Sequence, residues 1–495
     1  MRVCAGNRGR CGFYGLTSAV PALAPTAGGG SSRPPNTALE ATGHNVRFSA
    51  VRASVGGGPR LNLSVRPQWR WSNYEVHDRK EKKDAKKEWN ETVAVLHVQL
   101  RARVPTRPRR RGDRLEPDGP QRQPSAGVGG PIQSRNLALV HAAIFDAVNA
   151  IDRRHTVYAL EVQATPGASM EAAAAAAAHG VLTRLYWLQT PAFDVALEAS
   201  LATTPDGPSR ADGMTVGKEV AEKFMAQRSK DGSSANVTYT PKSGPGLYQL
   251  TPPAFAPVAV PHWGGVAPFM LKSADQVRIP GPPAFSSAEF AKDLNEVKLL
   301  GAKNSQARTK DQTDAARFWT ISGVVTDNDT ARQLSAHKGF GVVENARVFA
   351  LLNMAGADAY IACWEAKYRY NHWRPITAIR SADSAGNPAI SADPAWEPLA
   401  PTPAHPEYPA GHTCYAGATD QVLQAFFGDK ASFSLTNPAV RVTRNYQSLS
   451  QMEKEVEDAR VWGGMHYRSA VVHGTELGHM VADYGLKNYL RLVSP

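Results

Sequence analysis

The chain has 495 residues, 42% of them hydrophobic and 20% charged, with a formal net charge of +12 at neutral pH. That length allows a sizeable core or two domains, and no apolar run is long enough for a transmembrane helix. The positive charge is local. Of the 56 Lys plus Arg, 23 lie in residues 1–131, against 10 of the 44 Asp plus Glu. The remainder carries 33 against 34, a net of −1, so the basic balance gives no reason to expect nucleic-acid binding by the core.

Residues 1–131 are rich in Arg, Gly, Pro and Ser, and their first acidic residue is Glu40. Such a composition buries too little apolar surface to offset ordering entropy, so a largely disordered basic arm is expected. Early Arg and scarce acids fit a transit peptide, and a mispredicted upstream segment is the alternative. One alternating stretch, residues 91–100, reads as a short strand. The basic run 107–114 reads as a solvated charge run more readily than as a nucleic-acid contact.

From Ser134 the pattern changes. Residues 134–151 have the apolar spacing of a largely buried helix, with Ser134 as its N-cap. Further helices are expected over 169–188, 191–203, 209–229, 287–300 and 310–319. Residues 238–283, rich in Pro and Gly, read as a long surface loop. Helices resume at 344–367, 413–427, 450–461 and 467–492. The expected organisation is an N-terminal helical half over 132–330 and a C-terminal half over 331–495. Of the four cysteines, Cys4 and Cys11 lie in the arm, and Cys363 and Cys414 have no metal-ligand spacing.

Three segments carry the chemistry. Lys367 and Arg374, the latter followed by Pro375, are the first; Pro409-Ala410-Gly411-His412 is the second; Arg460 and His466 are the third. Fixed guanidinium and ammonium groups with backbone N–H donors suit a tetrahedral or trigonal-bipyramidal oxyanion. One histidine can bond to the anion's central atom, and the other, with an ordinary pKa of about 6.5, can move protons. Gly411 leaves a backbone N–H open at the start of a helix, where partial positive charge favours an anion. Gly463 and Gly464 are expected to bring backbone close to the site.

This ordered set resembles the K-x6-R-P, P-S-G-H and S-R-x5-H pattern of vanadium-dependent haloperoxidases, relatives of type 2 phosphatidic acid phosphatases and bacterial acid phosphatases. The likeness covers roughly Ser134 to Leu490, and the stretches 262–269, 310–319 and 373–379 resemble the bacterial-type branch. Two positions depart from the pattern: Ala410 replaces the P-S-G-H serine, and Ala459 replaces the serine before Arg460. One lost hydrogen bond to a charged group costs about 1.5–3 kcal/mol of anion binding.

The resemblance implies an all-α fold of two four-helix-bundle-like halves with the site in the second. It implies vanadate held by Lys367, Arg374, Gly411 and Arg460, His466 bonded to the metal, and His412 as acid–base. The partners it implies are hydrogen peroxide, a halide and a small organic substrate. By the same resemblance Trp364 walls the pocket, and His405, seven residues before His412, favours bromide or iodide over chloride. The alternative is a soluble acid-phosphatase-like phosphomonoesterase without vanadate, in which His466 is the nucleophile and His412 protonates the leaving alcohol. A scaffold that binds an oxyanion without turnover is the third reading. The sequence leaves a homo-oligomer open, as it does a soluble organellar or secreted location.

Overall fold

In the computed structural model, residues 129–493 other than Ser243 are described. The expected arm over 1–131, with its strand at 91–100 and its basic run, lies outside the described residues apart from its last three. Within 129–493 the chain is helical, with one two-stranded sheet. Among the described residues no helix is long and apolar enough to cross a membrane.

The elements are α1 Gly130–Asp152, α2 Met170–Leu185, α3 Thr190–Leu201, α4 Pro208–Gln227, α5 Ala288–Leu300 and α6 Lys310–Phe318. They continue with α7 Gly323–Lys338, α8 Val342–Tyr370, α9 Pro375–Arg380 and α10 Gly411–Phe427. The hairpin β1 Lys430–Asn437 and β2 Val442–Ser448 follows, then α11 Leu449–Trp462 and α12 Arg468–Asn488. Side-chain caps set several of these starts. Ser169 accepts from the Ala172 N–H at 3.1 Å, Ser287 from Phe290 at 3.1 Å, and Thr309 and Gln312 form a capping box at α6.

Ser134, in contrast, is not the N-cap of α1. The helix begins at Gly130, because Pro131 in the first turn gives up only an N–H that would have had no helical partner. Ser134 therefore lies inside the helix, fully buried, with its hydroxyl unpaired.

Helix α8 is the axis of the molecule. It packs against α1 on one side and against α10 and α12 on the other. Helices α1, α2 and α4 pack together, and α10 packs on α12, α11 and α7. The main apolar cluster runs from Leu137 in α1 to Leu490 beyond α12, so one core joins both groups.

Two features depart from expectation. The segment 238–283 is not a surface wrap: Tyr248, Trp263, Val266, Phe269, Met270 and Leu271 are buried. Asp358 of α8 anchors it, accepting from the N–H groups of Phe269, Met270 and Leu271 at 2.6, 2.7 and 2.8 Å. Helix α7 was not expected, since its Thr-Asp-Asn-Asp-Thr run has poor helix propensity. Tertiary contacts hold it instead: Asn328 and Asn353 exchange amide hydrogen bonds at 3.0 and 2.9 Å, and Thr419 of α10 donates to Asp327 at 2.6 Å. The division expected at residues 330 and 331 falls inside this helix.

Candidate active site

Five helix ends meet where the three sequence segments come together. Lys367 lies in the last turn of α8, which Asn371 closes with a left-handed φ of 49°. Arg374 is the N-cap of α9, Gly411 and His412 open α10, Arg460 lies in the last turn of α11, and His466 sits in the turn before α12. Helix ends offer unpaired backbone groups, and a rigid scaffold fixes where they point.

The Lys367 ammonium is fully buried and donates to three carbonyls, those of Pro406 at 3.0 Å, Glu407 at 2.9 Å, and Pro409. Arg374, also fully buried, donates from Nε to the His405 carbonyl at 2.9 Å and from Nη1 to the Met465 carbonyl at 3.0 Å. The same Nη1 donates to His466 Nε2 at 3.1 Å, and Nη2 donates to His405 Nδ1 at 3.0 Å. A guanidinium can only donate, so His466 Nε2 is the acceptor and the ring proton is on Nδ1. That proton goes to Glu407 Oε1 at 2.8 Å.

Trp364 and His405 belong to the same constellation. Their rings lie 4.8 Å apart, and the Lys367 ammonium is 5.7 Å from the Trp364 ring centre. A Cβ on Gly411 would come within 3.2 Å of the Trp364 ring, so glycine is what lets the α10 terminus approach this wall. The 238–283 segment closes the other side: the Ala259 carbonyl accepts from Trp364 Nε1 at 3.4 Å and from the Tyr368 hydroxyl at 3.2 Å.

Arg460 and His412 reach a segment that carries no expected site residue. Arg460 Nη2 donates to the Trp319 carbonyl at 2.6 Å, and His412 Nε2 donates to the Ile321 carbonyl at 3.2 Å. The turn between α6 and α7 thus aims both side chains. Arg460 Nε is buried and has no partner.

The electrostatics are lopsided. Lys367, Arg374 and Arg460 are at most 1% exposed. Burial pulls their pKa values down, to about 8, about 10 and about 9. Glu407, the carboxylate that bonds to this group, is itself pushed up to about 8 by burial, so at neutral pH it offsets little of that charge. Burial, followed by the nearby Arg460, pulls His412 down to about 3, so at neutral pH it is neutral rather than partly protonated as its ordinary pKa would make it. Burial and then Arg374 push His466 well below the usual range. Helix α10 begins at Ala410 with no side-chain cap. Three buried cations, an unpartnered guanidinium N–H and an uncapped helix start are costly to bury without a counter-anion.

Known proteins show where this arrangement recurs. The family described as "VCPO second helical-bundle domain" matches residues 347–495, the part holding all three segments. Vanadium chloroperoxidase of Curvularia inaequalis is 25% identical over an alignment of 387 positions that covers 61% of this chain and 62% of that protein. The chain therefore spans less than two thirds of that relative's length. Among solved structures, a bacterial vanadium-dependent iodoperoxidase aligns with a TM-score of 0.66 and 24% identity, covering 86% of this chain and 100% of that one. The apo form of a bacterial vanadium-dependent chloroperoxidase aligns with a TM-score of 0.59 and 18% identity, covering 74% and 96%.

The chain is similar to the vanadium haloperoxidases, and its residues 347–495 match their second helical-bundle domain.

The site fits an oxyanion such as vanadate, because three buried cations, the unpartnered Arg460 Nε–H and the uncapped start of α10 outweigh its one unpartnered carboxyl oxygen, Glu407 Oε2. Gly463 and Gly464 serve a different purpose from the one expected. A Cβ on Gly464, whose φ is 76°, would meet the Gly301 carbonyl at 2.6 Å and Pro398 at 2.8 Å. Gly464 thus fits the turn against the residue that follows α5, while a Cβ on Gly463 would meet Met465 and the Ala459 carbonyl. Glu407 is the residue that sequence reasoning missed. The only available signal was a lone acid in a proline-rich run, five residues before His412.

Proposed function

We propose that the protein is a vanadate-dependent haloperoxidase that oxidises bromide or iodide with hydrogen peroxide to hypohalous acid. One observation carries this reading: three buried cations lie about a histidine whose Nδ1–H is held by Glu407, so that its Nε2 carries no proton and accepts from the Arg374 guanidinium, the contact an incoming anion would share or displace. Lys367, Arg374, Arg460 and the Gly411 N–H would hold vanadate, with His466 Nε2 bonded to its metal. Bound there, vanadate supplies a Lewis acid that activates hydrogen peroxide towards halide.

The chain's own residues do the rest. The cations neutralise the anion's oxygens, and Arg460, with an unused buried N–H, has donors to spare. A neutral His412 is ready to accept a proton from incoming peroxide, which favours base chemistry over the leaving-group protonation that a phosphatase needs first. Trp364 and the 259–271 loop keep water from the cations and so strengthen their hold. His405, ring against Trp364 and bonded to Arg374, and the likeness to an iodoperoxidase both support a softer halide than chloride.

The test compares wild type with His466→Ala after addition of orthovanadate, following halogenation of a diketone dye with bromide or iodide and peroxide. Vanadate-dependent halogenation, reduced at least about a thousandfold in the variant, is expected. Phosphate release from an aryl phosphate without halogenation, inhibited by vanadate, would replace this reading with the phosphatase.

A further inference from the structure

Glu407 is placed as few acids in this chain are. It is fully buried, and its N–H, its carbonyl and its Oε1 bond to different pieces of the site, while its Oε2 is buried without a partner. Its N–H donates to the His372 carbonyl at 2.9 Å, tying it to the Lys367–Arg374 connection. Its carbonyl accepts from Lys367 Nζ at 2.9 Å. Its Oε1 accepts from His466 Nδ1 at 2.8 Å and from the Tyr467 N–H at 3.1 Å. Helix α12 offers no acid for this purpose, since Ala470 occupies the position one turn beyond His466.

We propose that Glu407 is the positioning residue that fixes His466 as its Nδ1–H tautomer with Nε2 turned to the oxyanion. The physical reason is valence. An imidazole has one proton in its neutral form, and an acceptor at Nδ1 assigns that proton, leaving the Nε2 lone pair free for a metal or an N–H donor. The second bond to Oε1, from the Tyr467 N–H, clamps the carboxyl so that ring and backbone turn as one unit. Groups that orient a metal-bound histidine in this way hold both its tautomer and its direction, and their loss costs about 10–100-fold in metal affinity. The proposal rests on reading His466 as the residue that meets the anion.

The test uses the full chain and the variants Glu407→Gln and Glu407→Ala. In anion-free protein, 15N-histidine NMR reads the His466 tautomer directly. Wild type and Glu407→Gln are expected to show protonated Nδ1 and bare Nε2, because an amide oxygen accepts both hydrogen bonds as a carboxyl oxygen does. Glu407→Ala is expected to show a mixture of tautomers. Calorimetry with orthovanadate, and with inorganic phosphate as a redox-inert probe, is expected to give wild-type affinity within about threefold for Gln and a loss of about 10–100-fold for Ala.

A wild type with protonated Nε2 would overturn the proposal, and that measurement stands even where the alanine variant does not fold. Equal affinity in wild type and Glu407→Ala would overturn it as well. So would a glutamine variant that keeps the tautomer yet binds as weakly as alanine, since the effect would then be charge and not orientation. None of these readouts uses peroxide or halide, so a wild type that binds vanadate without halogenating would fail the functional reading and leave the positioning role intact.

Discussion

Ala410 is the residue at which the site's own chemistry is most exposed to test. It caps α10 with extended backbone (φ −73°, ψ 122°) but has no side chain to receive the N–H groups of the first turn. A serine there can accept one of those N–H groups, worth about 0.5–2 kcal/mol of stability, and still donate its own O–H to a bound anion. Ala410→Ser is therefore expected to raise Tm modestly and to tighten orthovanadate binding by about tenfold or more. A higher Tm with unchanged affinity would mean that the hydroxyl serves only its helix. At this scale Lys367, Arg374, Arg460 and both histidines, which the structure brings together, could be singled out from the sequence, because fixed spacings of charged residues survive as a readable pattern. It could not disclose Glu407, the carbonyls of Trp319 and Ile321, or the depressed pKa of His412. Those depend on contacts between residues far apart in the chain and on burial, neither of which leaves a local period.

Helix α10 carries Gly411 and His412, and its placement depends on how closely it can approach α12. A Cβ on Gly417 would come within 2.5 Å of the Thr475 carbonyl, and one on Gly478 within 2.5 Å of the Cys414 carbonyl. The two helices cross backbone to backbone, so a methyl group has no flexible side chain to push aside. Gly417→Ala is expected to cost about 1–3 kcal/mol, seen as a fall of several degrees in Tm. It should also weaken phosphate and vanadate binding, because the wedge lifts the α10 terminus from Trp364. Normal binding in a destabilised variant would show that the terminus is held by the loop before it and not by this crossing. Helices with clear apolar spacing and caps, such as 287–300 and 310–319, were legible to within a residue or two. Helix α7 and the hairpin were not. The first is held by buried amide and carboxyl pairs that override propensity, and the second buries only Phe433, Leu435 and Asn437 of β1 and Tyr446 of β2.

Across the whole molecule, one core ties stability to pH through groups buried in opposite senses. His141 in α1 and His372 beside the site are both pulled down to about 3 by burial. An unfolded histidine titrates near 6.5, so as pH falls below that value the unfolded chain takes up protons that the folded chain refuses. Each histidine then removes stability with a slope of up to about 1.4 kcal/mol per pH unit, until pH nears 3. Asp146 and Asp358 work the other way. Burial raises both to about 6, so between roughly pH 4 and 6 the folded state holds protons that the unfolded chain has released, and stability falls as pH rises through that window. The two slopes oppose each other from pH 4 to 6. Below 4 the carboxyls are protonated in both states and only the histidine penalty remains. Stability is thus expected to change little between pH 4.5 and 6 and to collapse steeply below 4. His141 stacks on Phe349 at 5.3 Å, and its Nε2 is buried without a partner, so His141→Phe removes one penalty without orphaning a hydrogen bond to that nitrogen. Denaturant titrations at a series of pH values should place the acid midpoint of His141→Phe below that of wild type, with stability at pH 7 nearly unchanged. An unmoved midpoint would mean that acid unfolding begins elsewhere and that α1 opens before its histidine titrates.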